Sequence, residues 1–264
     1  MQFSRLHYEF LRKNRIKTVF IHTMQILLLV ILLGVWELAT SMHILDPFIA
    51  SSPSRIATTF VDLVQNSNLV YHSWVTLYET ILAFLISTGI GLLLAIILYM
   101  IPTIRRILEP YLIVLNSLPK IALGPLIIVW MGAGTKTIVT MGVLICVIIT
   151  TINMLVGFTG VENDKIMLMK TMGANKIQIF THLVFPANIP ALISSLKINV
   201  GMAWVGVIMG EYLTSKAGLG YLIVYGGQVF KLDLVMTSIV VLCILAGIMY
   251  GIIAMVENYV NKKR

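Results

Sequence analysis

The sequence predicts an all-α, polytopic membrane protein with six transmembrane helices. Of its 264 residues, 58% are hydrophobic and only 11% are charged, whereas about 25% of the residues in an ordinary soluble domain are charged. A helix needs about 20 mostly apolar residues to cross the hydrocarbon core of a bilayer. Six segments meet that requirement, and together they define a transmembrane domain over residues 18–257: 18–40, 76–101, 108–131, 137–158, 189–210 and 234–257.

Positive charges are distributed unevenly between the two sides of these predicted spans. With the N-terminus placed in the cytoplasm, most of the 19 Lys and Arg residues fall in cytoplasmic segments, including the basic N-terminus 1–17 and the basic C-terminus 258–264. This bias is the positive-inside pattern of membrane proteins. We therefore predict that both termini are cytoplasmic, and we attribute the net charge of +8 to membrane topology rather than to a nucleic-acid partner.

The first apolar segment could also be a secretory signal peptide, because basic residues precede it and the sequence ATS follows it. Its apolar run is longer than the roughly 7 to 15 residues of a signal peptide, and Trp36 and Glu37 stand before any cleavage site. We therefore favour a retained membrane span.

An outer segment, residues 46–68, separates the first two spans. Ser52 can cap a helix that has Pro53 at its first position. Apolar residues then recur on one face of that helix: Ile56, Phe60, Leu63 and Val64. The segment is predicted to lie along the outer membrane surface, either as a plain connector or as part of a gate.

Two spans carry GxxxG motifs, GVIMG in the fifth and GIMYG in the sixth. Glycines at this spacing let two helix backbones approach closely. Each motif therefore predicts a packing surface, within the chain or in a dimer.

The longest polar internal loop is predicted over residues 159–188. Its first helix should run from Val161 to Met172, with acidic residues near its start and Lys170 near its end, as the helix dipole favours. Gly173 can adopt the left-handed conformation that ends it, and Asn175 can cap a second helix. Pro186 is expected to end that second helix. One face of the helix is apolar and carries Ile177, Phe180 and Val184.

The first loop helix has an apolar side that no lipid obviously covers, made of Ile166, Met167 and Met169 with Met172 nearby. Exposed methionines on an amphipathic helix commonly fill a partner's groove. The alternative is that this side folds back on the protein's own surface.

Several motifs in this chain, in the same order, resemble the permeases of ABC importers. The loop resembles their EAA loop: Gly173 matches its glycine and VFP (184–186) its closing positions, while Met167, Leu168 and Met169 stand where the pattern has Glu, Ala and Ala. Further motifs resemble the nitrate, sulfonate and taurine branch of the family: LNSLPKIALGPLIIVWMGAG, AWVGVIMGEYL and GLGYLI. The resemblance covers about residues 51–231.

The resemblance implies a type I ABC importer (MetI-like) permease fold in the bacterial plasma (inner) membrane. We expect a homodimer, although a pair with a similar permease is also compatible. Each loop would seat a coupling helix on one of two separate ATP-binding subunits, which hold ATP and magnesium, and an extracellular or periplasmic solute-binding protein would deliver the substrate. The predicted ATPase-coupling residues are Ile166, Met167, Leu168, Met169, Lys170, Thr171, Met172, Gly173 and Ala174.

Polar residues inside the spans suggest a translocation pathway. Pro119 and Pro125 free backbone carbonyls in span three, which is tolerated only where protein or a water-filled cavity supplies partners. We predict that the polar face of span three and Glu211 line the pathway of a small anionic solute, which Lys120 attracts. The predicted pathway residues are Asn116, Ser117, Lys120 and Glu211. A structural ion pair between helices is the alternative for Glu211 and Lys120.

Glu79 and Glu257 also carry charge within predicted spans. A charged side chain at the bilayer centre costs about 2.5 to 3.5 kcal/mol on insertion scales. Both residues fall near span ends, so we expect each to reach water.

Catalytic functions are poorly supported by the sequence. GAGTKT (132–137) looks like a phosphate-binding loop, but Thr135 stands where that motif requires glycine, and the upstream run is a membrane span. The five histidines are scattered over both sides, and the two cysteines, Cys146 and Cys243, lie in spans. We predict no catalytic residue, no metal site and no cofactor on this chain. A self-contained secondary transporter or channel is the main alternative, although it would show broken helices in both halves.

Overall fold

A computed structural model describes residues 2–66 and 68–262, and in that part of the chain every regular element is a helix. The two longest polar connections carry short helices of their own. The α-helices are α1 (Gln2–Ser41), α2 (Pro47–Ala50), α3 (Pro53–Asn66), α4 (Leu69–Met100), α5 (Pro102–Ser117), α6 (Gly124–Met131), α7 (Thr135–Thr159), α8 (Asn163–Thr171), α9 (Lys176–Ile179), α10 (Phe185–Ala187), α11 (Ile189–Thr214), α12 (Leu219–Gln228) and α13 (Leu232–Lys262).

Helices α4, α7 and α11 form the centre of the bundle and pack more extensively than any other helices of the described chain. On α11, Gly206 lies so close to α7 that a Cβ there would be 2.6 Å from the Cα of Gly142, and a Cβ on Gly210 would be 2.9 Å from the Cα of Ile138. The GVIMG motif therefore packs within the chain. A Cβ on Gly247 or Gly251 of α13 would meet no described atom within 4 Å, so the GIMYG motif is uncovered.

Five helices of the described chain, α1, α4, α7, α11 and α13, contain stretches long and apolar enough to cross a membrane. The third predicted span, residues 108–131, is not one continuous helix. Helix α5 and the segment Lys120–Met131, a 3-10 turn followed by α6, meet at an angle of 87° and supply a sixth span only as a bent pair. The bend falls at Leu118, whose backbone is extended before Pro119, because a residue that precedes proline is pushed out of the helical region.

The helix bundle has two ends, and we distinguish them by the position of the polar loop over residues 159–188. The loop end contains Met100, Thr159 and Ile189, and the opposite end contains Ser41, α3, Thr214 and α12. Helix α1 contacts the rest of the described chain mainly through α2 and α3 at the opposite end, where the Glu37 carboxylate accepts hydrogen bonds from the Ser54 backbone N–H (3.0 Å) and hydroxyl (2.7 Å). Met1, Ser67, Lys263 and Arg264 lie outside the described residues, so part of each predicted basic terminus does too.

Helix α3 begins at Pro53 as predicted, and the Ser52 hydroxyl accepts a hydrogen bond from the N–H of Arg55 at 3.3 Å. Of its four apolar residues, Ile56 and Leu63 are buried, whereas Phe60 and Val64 are exposed. The helix is tied to α13 by an ion pair in which Arg55 Nη2 lies 2.6 Å from Asp233 Oδ2. It is therefore anchored to the bundle along a narrower face than the sequence predicted.

A second ion pair joins α11 to α13 near the loop end, between Lys197 and Glu257. The Lys197 ammonium also lies 5.8 Å from the centre of the Tyr250 ring, within the range of a cation–π interaction. Glu257 is therefore paired, whereas we had expected it simply to reach water. Pairing lowers the cost of keeping both charges at the edge of the membrane.

Candidate coupling and translocation sites

The first loop helix, α8, is shorter than the predicted 161–172 and covers Asn163–Thr171. It ends as the sequence predicts. Gly173 has φ +83°, and the N–H of Ala174 donates a hydrogen bond to the carbonyl of Met169 at 3.0 Å. Left-handed backbone is far easier for glycine than for a residue with a Cβ. Gly173 therefore sets the sharp turn that separates the two loop helices.

The apolar side of α8 is divided between two environments. Ile166, Met169 and Ala174 pack against the buried cluster at the loop end of the bundle. Met167 (67% exposed), Leu168 (61%) and Met172 (79%) face away from it. One edge therefore folds back on the protein, as one interpretation expected, while the other edge is exposed and its docking on a partner stays a prediction.

The second loop segment begins with a capping box. The Asn175 side chain accepts a hydrogen bond from the Gln178 N–H, and the Gln178 side chain accepts one from the Asn175 N–H, both at 2.8 Å. This reciprocal arrangement satisfies two backbone donors at the helix start. The predicted cap at Asn175 is confirmed.

The second segment does not end at Pro186. A π-helical turn over Phe180–Val184 follows α9, and the chain stays helical through Pro186 to Ala187 before α11 begins. Ile179, Phe180 and Val184 are buried, while Ile177 is 66% exposed. The predicted apolar face is therefore covered at Phe180 and Val184 but not at Ile177.

Four aromatic rings fasten this segment to the bundle. Phe180 lies 5.2 Å from Phe158 of α7, 5.5 Å from Tyr99 of α4 and 5.9 Å from Phe185, measured between ring centroids. These distances fall in the range favoured by aromatic pairs. Because Tyr99 belongs to α4 and Phe158 to α7, these contacts attach the loop to the central helices of the bundle.

We define the coupling surface as the four large apolar side chains that are exposed on this loop: Met167, Leu168, Met172 and Ile177. They lie within a short stretch of chain at the end of the bundle, beyond the apolar stretches of α4 and α7. Exposed apolar side chains that cluster on an otherwise polar segment indicate a surface for a partner protein. Among the nine predicted coupling residues, Met167, Leu168 and Met172 have the most exposed large apolar side chains.

Three of the predicted pathway residues lie together at the break between α5 and α6. The Lys120 ammonium donates to the Asn116 carbonyl at 3.2 Å and contacts its side-chain oxygen at 3.4 Å, while the Ser117 hydroxyl donates to the Ile113 carbonyl. Asn116 and Ser117 are exposed and Lys120 is half-buried. Their role in a pathway stays a prediction.

Glu211 lies elsewhere, 1% exposed at the junction of α4, α11 and α12. Its carboxylate accepts a hydrogen bond from the Gly220 N–H at 2.6 Å and packs so tightly that a Cβ on Gly218 would be 2.4 Å from both carboxylate oxygens. The neighbouring donors at the start of α12 are also satisfied, the Gly218 N–H by His72 Nδ1 and the Leu219 N–H by the Thr76 hydroxyl. Glu211 thus anchors α12, and its place in a pathway stays a prediction.

Glu79 does not reach water, contrary to our expectation, and is 1% exposed. Its side chain contacts those of Glu211 and Thr135, and one carboxylate oxygen of each glutamate has no hydrogen-bond partner. The sequence could not reveal this contact, because Glu79 and Glu211 are far apart in the chain. His72 and Thr76 gave no signal either, since nothing local distinguishes them from other polar residues near a span end.

Together, the long apolar helices, the bent span and the anchored helical loop define a polytopic membrane protein. The chain belongs to the family described as binding-protein-dependent transport system inner membrane components, whose model matches residues 87–263. The chain is therefore a permease subunit of an ABC importer.

Curated relatives and a solved structure agree with this assignment. The chain is 24% identical to the taurine transport system permease protein TauC of Escherichia coli, over 85% of this chain and 83% of TauC. It is 30% identical to the formylaminopyrimidine transport permease protein ThiX of Halalkalibacterium halodurans, over 74% of this chain and 77% of ThiX. The MetNI methionine ABC transporter in an inward-facing conformation shares the fold, with a TM-score of 0.63 and 20% identity over 71% of this chain and 93% of the matched chain.

Proposed function

We propose that this permease couples ATP hydrolysis on a separate ABC ATPase to import of a small anionic solute through its loop 159–188. The observation that carries this proposal is the coupling surface, which is exposed and apolar while its supporting segment is clamped to the bundle. A surface of this kind binds a partner and passes movement to the helices behind it. ATP binding closes the ATPase pair, the coupling helices move with it, and the bundle changes between inward-facing and outward-facing states.

The coupling surface makes a direct prediction about complex formation. When this chain is co-expressed with its ABC ATPase, Met172→Asp should lower the amount of co-purified ATPase by about tenfold or more, because a buried interface tolerates an unpaired charge poorly. The matched control is Met42→Asp, since Met42 is also a highly exposed methionine (69%) but lies at the opposite end. Yield and gel-filtration profile of the permease report on its folding.

Equal recovery of the ATPase with both variants would show that the coupling surface is not part of the interface with the ATPase. Equal loss with both would show that a new charge at either end disturbs the complex, which also contradicts the assignment.

The acidic residue of the EAA pattern is missing from this loop, so we expect apolar contacts to supply most of the binding free energy of the complex. Added salt screens charges but not apolar contacts, so it should leave the wild-type complex largely intact.

The remaining parts of the proposal concern assembly and topology. Asn116 and Ser117 are exposed in a single chain, so a pathway that includes them needs a further subunit, and we propose a second copy of this permease. Two ATP-binding subunits hold ATP and magnesium, both termini lie in the cytoplasm, and a solute-binding protein delivers the substrate to the outer face. This chain itself takes no part in the chemistry of hydrolysis.

For the substrate we propose an aliphatic sulfonate, taurine, nitrate or a similar anion. The name of TauC supports taurine, which is a sulfonate, whereas the name of ThiX supports a formylaminopyrimidine. The half-buried Lys120 at the break in the third span favours an anion. Uptake of labelled taurine into cells that express the complete transporter, with unlabelled nitrate or formylaminopyrimidine as competitors, distinguishes these classes.

A further inference from the structure

A cavity of about 220 Å³ lies at the loop end, where the turn from α4 to α5 meets α8 and α9. Its apolar wall includes Met100 and Ile179. Three cationic side chains also line it: Arg105, Lys170 and Lys176. Since a water molecule takes about 30 Å³, the cavity has room for a polyatomic ion with several waters.

These cations have no anionic partner in the part of the chain that the structure describes. No acidic side chain lines the cavity, and the ion pairs found among described residues involve other groups. Arg105 Nε is buried without a hydrogen-bond partner. Glu109 lines the adjoining cavity with Arg105, but it forms no ion pair with it. A buried donor without a partner is costly, and an acceptor bound in the cavity would satisfy it.

We propose that this cavity binds a phosphate group, with Arg105, Lys170 and Lys176 as its ligands. Arginine presents N–H donors in a planar fork that matches phosphate oxygens, and lysine adds a mobile positive charge. The Tyr99 ring and the apolar wall suit the glycerol or acyl part of a molecule that carries the phosphate. A bound group would bridge α5 to α8 and α9, so it would brace the loop that the coupling surface belongs to.

The position of the cavity favours the headgroup of an anionic phospholipid. Tyr99 and Met100 stand at the end of the apolar stretch of α4, which is the depth at which headgroups lie. Basic pockets between helices at this level bind anionic headgroups. A soluble phosphate ester has the same chemistry, so the experiment includes both sources.

The test is native mass spectrometry of the full-length chain released from detergent, titrated with phosphatidylglycerol, with phosphatidylcholine and, separately, with glycerol 3-phosphate. Lys176→Gln and Arg105→Gln should each weaken phosphatidylglycerol binding about fivefold, since one basic residue near a membrane surface contributes about that factor. Lys165→Gln is the matched control, because Lys165 lies on α8, does not line the cavity and pairs with Glu162. Lys176 is exposed, so its substitution does not threaten folding.

A loss of phosphatidylglycerol binding in the cavity variants alone supports the site with a lipid as its occupant. A loss confined to glycerol 3-phosphate supports the same site with a soluble occupant. Equal effects of Lys165→Gln and Lys176→Gln, or equal binding of phosphatidylglycerol and phosphatidylcholine by the wild type, would overturn the proposal. No ATPase is present in this measurement, so its outcome is independent of the proposed coupling function.

Discussion

We expect Gly220→Ala to destabilise the permease by about 1 to 3 kcal/mol, the usual cost of overpacking a close-packed site. A Cβ at this position would lie 2.8 Å from both Cβ and Oε2 of Glu211 and 3.1 Å from the Ile208 carbonyl oxygen. The buried glutamate cannot withdraw without giving up its hydrogen bond to the Gly220 N–H. Thermal unfolding of the purified protein in detergent measures the effect.

The control for this substitution lies in the same helix. A Cβ on Gly227 would meet no described atom within 4 Å, so Gly227→Ala should leave the melting temperature unchanged or raise it slightly, since alanine is the better helix former. If the two variants melt together, α12 is not held by the close contact with Glu211.

The second large effect is expected at Phe180. Phe180→Ala removes a buried ring that contacts Tyr99, Phe158 and Phe185, and truncating a buried phenylalanine costs about 3 to 5 kcal/mol. Because that ring joins the loop to α4 and α7, we also expect the variant to lose ATPase stimulation even where it still inserts. Unfolding in detergent and ATPase activity of the reconstituted complex are the two readouts.

Phe20→Ala makes the same change at an exposed position, since Phe20 on α1 is 59% exposed. Its effect on stability should stay within about 0.5 kcal/mol. A comparable loss in both variants would mean that the aromatic cluster does not hold the loop to the bundle.

Local signals in the sequence were sufficient to predict the structure where a single residue determines the backbone conformation. Pro53 at a helix start, Gly173 at a left-handed turn and Asn175 in a capping box each act through their own conformational preference. The GVIMG motif was likewise a sound guide to packing, because small residues are needed wherever two backbones approach.

Features that depend on several elements could not be predicted. Prolines indicated that span three is irregular, but they do not give the angle of 87° between its two halves, both of which contact α7 in the bundle. Periodicity placed Ile177 on one face with Phe180 and Val184, but it could not show that the bundle covers those two residues and leaves Ile177 exposed. Glu79 meets Glu211 only because α4 and α11 are neighbours, so the expectation that it reaches water was reasonable for an isolated helix and wrong for the bundle.

The most direct test of the account is photo-cross-linking from the coupling surface. Cys243 is exposed and Cys146 is buried, so a Cys243→Ala background leaves a newly introduced cysteine as the accessible thiol. Met172→Cys and, as a control at the opposite end, Met42→Cys are each labelled with benzophenone maleimide in the purified permease, which is then combined with the ATPase and irradiated. We expect an adduct between permease and ATPase from position 172 and none from position 42. An adduct from position 42 alone, or none from either position in a complex that still co-purifies, would contradict it.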